Sequence, residues 1–404
     1  MKAPAGERLA DRIAIGLLTA TFPPELVDRV IRETGRGQQR SRLLPARVVV
    51  YYVLAMCLFF GQGYEEVARL LTGGLEQARQ WRGSWQVPTT GAIARARARL
   101  GPEPLEALFG QACRPLAAEG APGSFYRGWR LVAIDGTTLD VPDTEANSAH
   151  FGRPGSSRGT GGGAFPQARM AALGECGTHA VFGAAIGPLS VHETELARRL
   201  FPRLEPGMLM AADRGFLGFD LWREAAATGA DLLWRVKNSA VLPSDEELPD
   251  GSYLSRIYAA RDKNRHADPE VVRVVEYTLD DPGTVYRLMT TILEPERAPA
   301  ADLAALYSQR WEIELVFDEL KTHQGAPRMV LRSQAPPGVE QEAWGFLLVH
   351  YAIRALMARA AAGAGLDPDR LSFTRTLRIA RRQVTAQAAF SPLPPGQGTD
   401  HGTG

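Results

Sequence analysis

Four residues near position 310 have the types and the spacing to handle a phosphate group. They are Tyr307, Arg310, Glu314 and Lys321, and the last three lie 3, 7 and 14 positions after the first. At about 100° per residue, an α-helix places all four on one face. Basic side chains bind phosphates, and tyrosine offers a hydroxyl group or a stacking ring. The spacing therefore predicts a phosphate-handling helix that carries a carboxylate; a solvated charged face is the alternative interpretation.

Two further carboxylates each follow an apolar run of strand length and precede a glycine. Asp135 follows residues 131–134, and Asp213 follows residues 208–212. Side chains at the carboxyl ends of strands in an α/β sheet converge on one edge, so these two acids could meet although 78 positions separate them. An acid near a glycine is also a common turn residue. The pattern predicts either paired acids at a sheet edge or two separate turns.

The apolar pattern indicates the elements that must position these residues. Helical periodicity dominates up to about residue 128, whereas residues 130–238 alternate strand-length runs with helical windows, which is typical of an α/β layer. Strand-like pieces broken by proline and glycine follow. Three helices are then predicted over residues 301–323, 340–362 and 371–384.

These patterns predict an α/β chain divided into five segments. They are an all-α N-terminal domain (1–128), the first part of an α/β core (129–238), a β-rich insertion (239–300), the second part of the core with the Glu314 helix (301–362), and a basic C-terminal helix with a disordered tail (363–404). Residues 1–128 hold 17 basic and 11 acidic residues, whereas residues 129–360 hold 24 and 31. We therefore expect affinity for a polyanion to come mainly from the terminal segments and the stripe around Glu314.

The overall composition excludes several classes of protein. With 404 residues, 45% hydrophobic residues and a formal net charge of +1, the chain is neither intrinsically disordered nor a small, strongly basic nucleic-acid-coating protein. Three isolated cysteines, Cys57, Cys113 and Cys176, argue against a disulfide framework or a zinc knuckle and fit a reducing cytoplasm. The apolar run at residues 48–60 is shorter than the ~20 residues of a membrane span and predicts a buried helix.

Two groups of arginines lie on predicted helices: Arg95, Arg97 and Arg99, and Arg375, Arg378 and Arg382. In the first group, Arg97 points about 160° away from its two neighbours, so at most part of the set faces one DNA groove. The second group shares one face, which either contacts phosphates or is solvated.

Three other features have weaker links to chemistry. The glycine-rich stretch at residues 152–163 lacks a Gly-Lys-Ser/Thr sequence, so no nucleotide-binding phosphate loop is predicted. Trp234 and Trp311 either support base unstacking at a DNA end or pack in a core, and core packing is the safer interpretation. The histidines are scattered, and only His323 lies near the predicted site helix.

With these motifs, the sequence resembles the DDE transposases of bacterial insertion sequences, specifically insertion-sequence family four. The signature of that family is the Tyr-x2-Arg-x3-Glu-x6-Lys spacing, and all four positions are present. The resemblance covers most of the chain and includes three further segments: Ile134-Asp135-Gly136-Thr137, Phe151-Gly-Arg-Pro-Gly155 and Ala212-Asp213-Arg214-Gly215-Phe216. It implies a ribonuclease-H-like catalytic core with a β-rich insertion, preceded by an all-α domain and followed by C-terminal helices.

By motif position, the resemblance implies that Asp135, Asp213 and Glu314 are the catalytic triad and the metal ligands. It implies that Tyr307, Arg310 and Lys321 bind the DNA end. Two Mg²⁺ ions, with Mn²⁺ as an alternative, can activate the attacking oxygen and stabilise the leaving oxygen of a phosphodiester. Such hard cations prefer oxygen ligands, whereas histidine or cysteine would select softer metals.

The resemblance also implies the reaction. A transposase binds the terminal inverted repeats of its element in double-stranded DNA, cleaves the ends in a metal-dependent reaction, and joins them to target DNA, in this family through a hairpin. The active protein is expected to be a homodimer in the cytoplasm, associated with the nucleoid when active, without a membrane or a nucleotide cofactor. Two alternatives remain: a ribonuclease-H-like nuclease that only hydrolyses, and a non-catalytic DNA-binding protein derived from a transposase.

Overall fold

The computed structural model describes residues 14–37, 44–77, 87–155, 165–259, 262, 268–278, 285–325 and 328–382. Contacts between residues divide the chain into two compact units, each assembled from separate stretches. The first, here called the helical unit, comprises Met1–Arg114, Asp140–Pro166 and Asp318–Gly404. The second, here called the sheet unit, comprises Pro115–Leu139 and Gln167–Phe317. The five-segment division of the sequence stays a prediction.

The α-helices have these bounds: α1 (Ala14–Thr21), α2 (Pro24–Glu33), α3 (Ala46–Leu58), α4 (Tyr64–Gln77), α5 (Thr90–Leu100), α6 (Glu103–Ala112), α7 (Glu145–Phe151), α8 (Glu193–Arg198), α9 (Phe219–Ala226), α10 (Ala300–Tyr307), α11 (Trp311–Asp318), α12 (Pro336–Ala364) and α13 (Phe373–Arg382). Proline begins α2 and α12, where its missing N–H group has no helical partner to lose. Gly365 ends α12 in the left-handed conformation, with φ 64°.

Helices α3 and α12 form the centre of the helical unit. Every residue of α3 is buried, which confirms the buried helix predicted from the apolar run. The two helices approach closely at Gly345, where an added Cβ atom would lie 2.7 Å from Cys57 Sγ and 3.1 Å from Val53 Cγ1. The absence of a side chain at residue 345 therefore sets the separation between these helices.

Within the described residues, α12 is the one helix long and apolar enough to cross a membrane, and 72% of its most apolar window is buried inside the protein. It packs against α1, α3, α5, α6 and α13. Its buried Glu342 accepts hydrogen bonds from the Arg332 N–H group at 2.7 Å and from Ser333 Oγ at 2.6 Å. The burial and these polar contacts are those of a core helix.

Strands of the sheet unit form one mixed sheet. Their bounds are β1 (Phe125–Tyr126), β2 (Trp129–Asp140), β3 (Gln167–Glu175), β4 (Val181–Pro188), β5 (Met208–Ala212), β6 (Asp231–Val236), β7 (Glu246–Glu247), β8 (Tyr253–Ile257), β9 (Glu270–Thr278) and β10 (Val285–Thr290). The order is β4-β3-β2-β5-β6-β10-β9-β8-β7, and β1 pairs with β2. Strands β2, β5 and β6 run parallel to one another. The pairs β6–β10, β10–β9, β9–β8 and β8–β7 are antiparallel.

One face of this sheet packs on α8 and α9 through a continuous apolar core. Its largest members, Trp222 on α9 and Trp234 on β6, make an edge contact with ring centroids 5.1 Å apart. A mixed α/β fold with a central sheet, a helical N-terminus and C-terminal helices confirms the predicted fold class. The segment predicted to be β-rich contributes β7 to β10, which continue the same sheet.

The predicted helix at residues 301–323 is a continuous helical run whose type changes along its length. After α10, Ser308–Arg310 forms a 3₁₀ turn, and after α11, Glu319–Gly325 forms a π-helix. The uniform 100° per residue that placed four residues on one face is therefore wrong for these two segments, because their hydrogen bonds span three and five residues.

The C-terminal helix predicted at residues 371–384 is present as α13. Residues 383–404, including the predicted disordered tail, lie outside the described residues, as does most of the glycine-rich stretch, residues 156–163.

Candidate active site

The register of two parallel strands places Asp135 and Asp213 side by side. The paired residues of β2 and β5 end at Ile134 and Ala212, so each aspartate is the next residue of its strand. Strand β2 then continues through Asp135 to Asp140, whereas β5 ends and Asp213 accepts a hydrogen bond from the N–H group of Arg214. The structure thus brings the two acids to one sheet edge, and Asp135 lies within a strand and not in a turn.

Arg310 connects this sheet edge to the helix that carries Glu314. Its guanidinium donates to Asp135 Oδ2 at 3.4 Å and to Glu314 Oε1 at 3.0 Å. The arginine side chain is only 3% exposed, whereas that of Glu314 is 42% exposed. Arg310 Nε is a buried donor without a hydrogen-bond partner among the described residues. The guanidinium therefore gathers two carboxylates and retains one unused donor.

Burial is the main influence on the ionisation of Asp135. Burial raises the pKa of the Asp135 carboxyl above its ordinary value, and the neighbouring Glu314 and Asp213 carboxylates raise it further. The Gly136 N–H group, 2.8 Å from Asp135 Oδ1, and Arg310 act in the opposite direction. Like charges held together at a partly buried site are stabilised when a cation binds among them. The oxygen-only donor set fits a hard divalent cation.

Tyr307 lies beneath this cluster and not on its surface. The side chain is 4% exposed, and its hydroxyl donates to the carbonyl oxygen of Ala212 at 3.4 Å, directly before Asp213. Burial raises the pKa of the Tyr307 hydroxyl. Its ring lies 5.8 Å from the guanidinium carbon of Arg310. These contacts support the end of β5 and Arg310; a DNA contact by Tyr307 stays a prediction.

Lys321 lies in the π-helical segment and belongs to the helical unit, whereas the other signature residues belong to the sheet unit. Its side chain is half-buried. Burial lowers the pKa of the Lys321 ammonium group, and Asp140 and Asp318, both of the same unit, partly offset that effect. The predicted DNA contact of Lys321 stays a prediction.

Sequence reasoning missed one acid of this cluster, Glu193, at the start of α8. Burial raises the pKa of its carboxyl, and the nearby Asp135 and Asp213 carboxylates raise it further, opposed by Arg169. No strand end or spacing rule marks Glu193 in the sequence. The one signal in the sequence was Gly136, which was used only as the glycine that follows Asp135.

The tryptophans and the first group of arginines named in the sequence analysis differ in burial. Trp234 is 1% exposed and belongs to the core, whereas Trp311 is 55% exposed, beside Arg310. Arg97 is buried, where its Nε donates to Gln341 Oε1 at 3.0 Å, so it cannot read DNA. Arg95 and Arg99 are exposed on α5.

Comparisons with known proteins identify the family to which the chain belongs. Residues 12–110 match the family described as insertion element 4 transposase N-terminal, and residues 127–351 match the transposase DDE domain. The transposase InsG for insertion sequence element IS4 of Escherichia coli (strain K12) is 29% identical over 375 residues, which cover 91% of this chain and 83% of InsG. The putative transposase InsZ of the same strain is 24% identical over 218 residues, 54% of this chain and 70% of InsZ.

A solved structure shares the fold. This chain superposes on the cryo-EM structure of the piggyBac transposase synaptic complex with hairpin DNA with a TM-score of 0.50 at 9% sequence identity. The superposition covers 95% of this chain and 83% of the piggyBac transposase chain. The DDE domain match extends over more than half of the chain, and such domains use divalent metals. The chain therefore belongs to the DDE transposases of insertion-sequence family four, enzymes that bind DNA and catalyse its cleavage and strand transfer.

Proposed function

We propose that Asp135, Asp213 and Glu314 are the catalytic carboxylates of this transposase and hold two divalent cations, Mg²⁺ with Mn²⁺ as an alternative. The observation that carries the proposal is the meeting of three acids from separate elements: two aligned strand ends and a helix joined to them by Arg310. When bound, such a metal pair activates the attacking oxygen and stabilises the leaving oxygen of a phosphodiester.

The other side chains of the site would position the DNA. Arg310 can exchange its contacts with Asp135 and Glu314 for oxygens of the reacting phosphate, and its unused Nε donor favours such an acceptor. The hydroxyl of Tyr307 fixes the backbone before Asp213 and its ring supports Arg310. Gly136 orients Asp135 through its N–H group. We assign DNA contacts to Arg310, Tyr307 and Lys321.

The substrate would be the terminal inverted repeats of an insertion sequence, cut and joined to target DNA through a hairpin at the element end. Exposed arginines of the N-terminal segment, Arg95 and Arg99, are candidates for sequence-independent phosphate contacts on those ends. Because two ends must be cut and joined together, the active form would be a homodimer. We place the reaction in the cytoplasm, at the nucleoid.

The test uses a pair of matched variants. Asp135→Asn removes one metal ligand and keeps the size of the side chain, so end binding in a gel-shift assay should persist while Mg²⁺-dependent cleavage of an end-containing duplex is lost. Asp220→Asn changes an exposed acid at the start of α9 and should cleave like the wild type. Normal cleavage by Asp135→Asn would refute the assignment of Asp135.

A second assay tests the course of the reaction. Full-length protein, Mg²⁺, a precut end with a free 3′ hydroxyl and a target plasmid should give joined product, whereas a nuclease that only hydrolyses gives none. An uncut end should give a hairpin, which a denaturing gel separates from the linear strand. Joined product without a hairpin would retain the transposase and remove the hairpin step.

A further inference from the structure

Glu193 begins α8, a helix that packs against β3 and β4 in the sheet unit. The preceding His192 caps the helix by accepting the N–H group of Thr194 at its Nδ1 atom, 3.3 Å away. The cap fixes where α8 starts, and so fixes where the half-buried side chain of Glu193 leaves the helix. The side chain then extends over strand β2 at Gly136.

Gly136 has no conformational reason to be glycine. It lies inside β2 and its φ is outside the left-handed region in which glycine is favoured. The space above it is the constraint, because a Cβ atom at residue 136 would overlap the carboxyl group of Glu193. Since the N–H group of the same glycine holds Asp135 Oδ1, the carboxyl groups of Glu193 and Asp135 lie around one residue.

No described side chain forms an ion pair with the carboxyl group of Glu193, although Arg169 is nearby. Among the described residues it makes no hydrogen bond or salt bridge, and the nearby Arg169 donates instead to the carbonyl oxygen of Val191 at 2.6 Å. Across Gly136, its neighbour is the carboxyl group of Asp135. A half-buried acid with acidic neighbours and no donor is stabilised by a bound cation.

We propose that Glu193 is a fourth carboxylate of the divalent-cation site and binds the cation held by Asp135 and Asp213. The assignment rests on the function proposed above for those two aspartates. It explains why residue 136 has no side chain and why the half-buried acid at the start of α8 lies beside other acids. Glu193 thereby lowers the net positive charge of the metal site and limits the positions at which the cation can bind.

The test measures metal binding directly, apart from catalysis. Mn²⁺ alone is titrated into the full-length protein and followed by calorimetry and by the electron paramagnetic resonance signal of free Mn²⁺. Glu193→Gln should weaken binding about tenfold or more, as loss of groups around a metal typically does. Glu195→Gln, on the same helix with an exposed side chain, is the matched control and should bind like the wild type.

Thermal unfolding separates a metal effect from misfolding. In EDTA, Glu193→Gln should unfold at the wild-type temperature or above, because the change relieves repulsion between acids. In Mn²⁺, the rise in unfolding temperature should be smaller than that of the wild type. Glu193→Gln with wild-type Mn²⁺ affinity, beside an Asp135→Asn variant that has lost it, would overturn the role of Glu193 alone. Retained affinity in Asp135→Asn would instead overturn the proposed triad.

Discussion

Asp135 and Asp250 lie in the same unit and have nearly equal exposure, 19% and 20% of the side chain. Each also faces a buried arginine, Arg310 and Arg273 respectively. Each accepts a backbone N–H group as well, but the other groups around them differ. Asp250 accepts hydrogen bonds from Ser252 Oγ at 2.5 Å and from the N–H group of Ala300 at 2.7 Å, whereas Asp135 has other carboxylates around it.

The pKa values of the two acids shift in opposite directions as a result. Burial alone would raise the pKa of both. At Asp250 the hydrogen bonds from Ser252 and Ala300, together with Arg273, outweigh burial and hold the pKa below its ordinary value. At Asp135, burial outweighs the Gly136 N–H group and Arg310, Glu314 and Asp213 add to the effect of burial, and the pKa is raised. Similar exposure thus accompanies a structural acid, Asp250, whose donors outweigh burial, and a candidate metal ligand, Asp135, at which burial and neighbouring acids outweigh the donors.

The largest expected effect concerns catalysis. Asp135→Asn should lower the cleavage rate at saturating Mg²⁺ by about 10³-fold or more, equivalent to about 4 kcal/mol of activation free energy, because it removes a metal ligand. Asp250→Asn should cleave within about twofold of the wild type per folded molecule. Single-turnover cleavage of an end-containing duplex measures both. A large rate loss in Asp250→Asn would remove the distinction between the two aspartates.

Stability should respond in the reverse sense. Asp250→Asn leaves the fully buried guanidinium of Arg273 without its anion, which should lower the free energy of unfolding by about 3 kcal/mol. Asp135→Asn should change the free energy of unfolding little, and in EDTA this variant should be slightly more stable than the wild type. Urea unfolding followed by circular dichroism measures the difference. An unchanged unfolding midpoint for Asp250→Asn would show that Arg273 finds other acceptors, such as the carbonyl oxygen of Ala298 at 2.8 Å.

Stabilisation of the protein by a bound metal should depend on Asp135 and not on Asp250. A cation at 10 to 100 times its Kd adds about 1.4 to 2.7 kcal/mol to the free energy of unfolding. We expect this gain with Mg²⁺ in the wild type and in Asp250→Asn, and its loss in Asp135→Asn. Differential scanning calorimetry with Mg²⁺ and with EDTA gives the comparison. Equal Mg²⁺ stabilisation of all three proteins would place the bound ion elsewhere.

The sequence predicted the sheet edge better than its surroundings. Parallel strand ends are readable from two apolar runs that each stop at an acid, and the register confirms that Asp135 and Asp213 follow paired residues. The helix carrying Glu314 was also predicted, but the 3₁₀ and π segments were not, because backbone hydrogen-bond type depends on packing that periodicity does not record.

Contacts between distant residues account for what the sequence could not predict. A turn at Asp135 and Gly136 was one of two interpretations, yet Gly136 lies within a strand and the carboxyl group of Glu193, 57 positions later, occupies the space of its missing side chain. In the same way Asp250, in a Pro-Asp-Gly sequence, is recognisable as a turn, but its pairing with Arg273 is not. Arg97 could be placed on the opposite side of α5 from Arg95 by helical geometry, although its partner Gln341 could not be named. Periodicity in the sequence predicts the side of a helix or strand on which a residue lies, whereas the residue that it contacts there depends on tertiary packing.

The smallest expected effect is an opposite response of the two aspartates to pH, measured without metal. The raised pKa of Asp135 means that the folded state binds its proton more tightly than the unfolded state, so its ionised form costs stability above the ordinary pKa of 3.8 and that cost is removed on acidification. The lowered pKa of Asp250 gives the reverse: its contribution is present above 3.8 and is lost as pH falls towards the folded pKa.

Urea unfolding in EDTA between pH 3 and 7 should therefore show the stability of the wild type rising relative to Asp135→Asn as pH falls, and falling relative to Asp250→Asn. Because neighbouring acids share the titration, the first difference reports on the whole cluster, and Glu193→Gln should reduce it. Parallel pH profiles for the two comparisons would contradict the contrast between an acid among donors and an acid among acids.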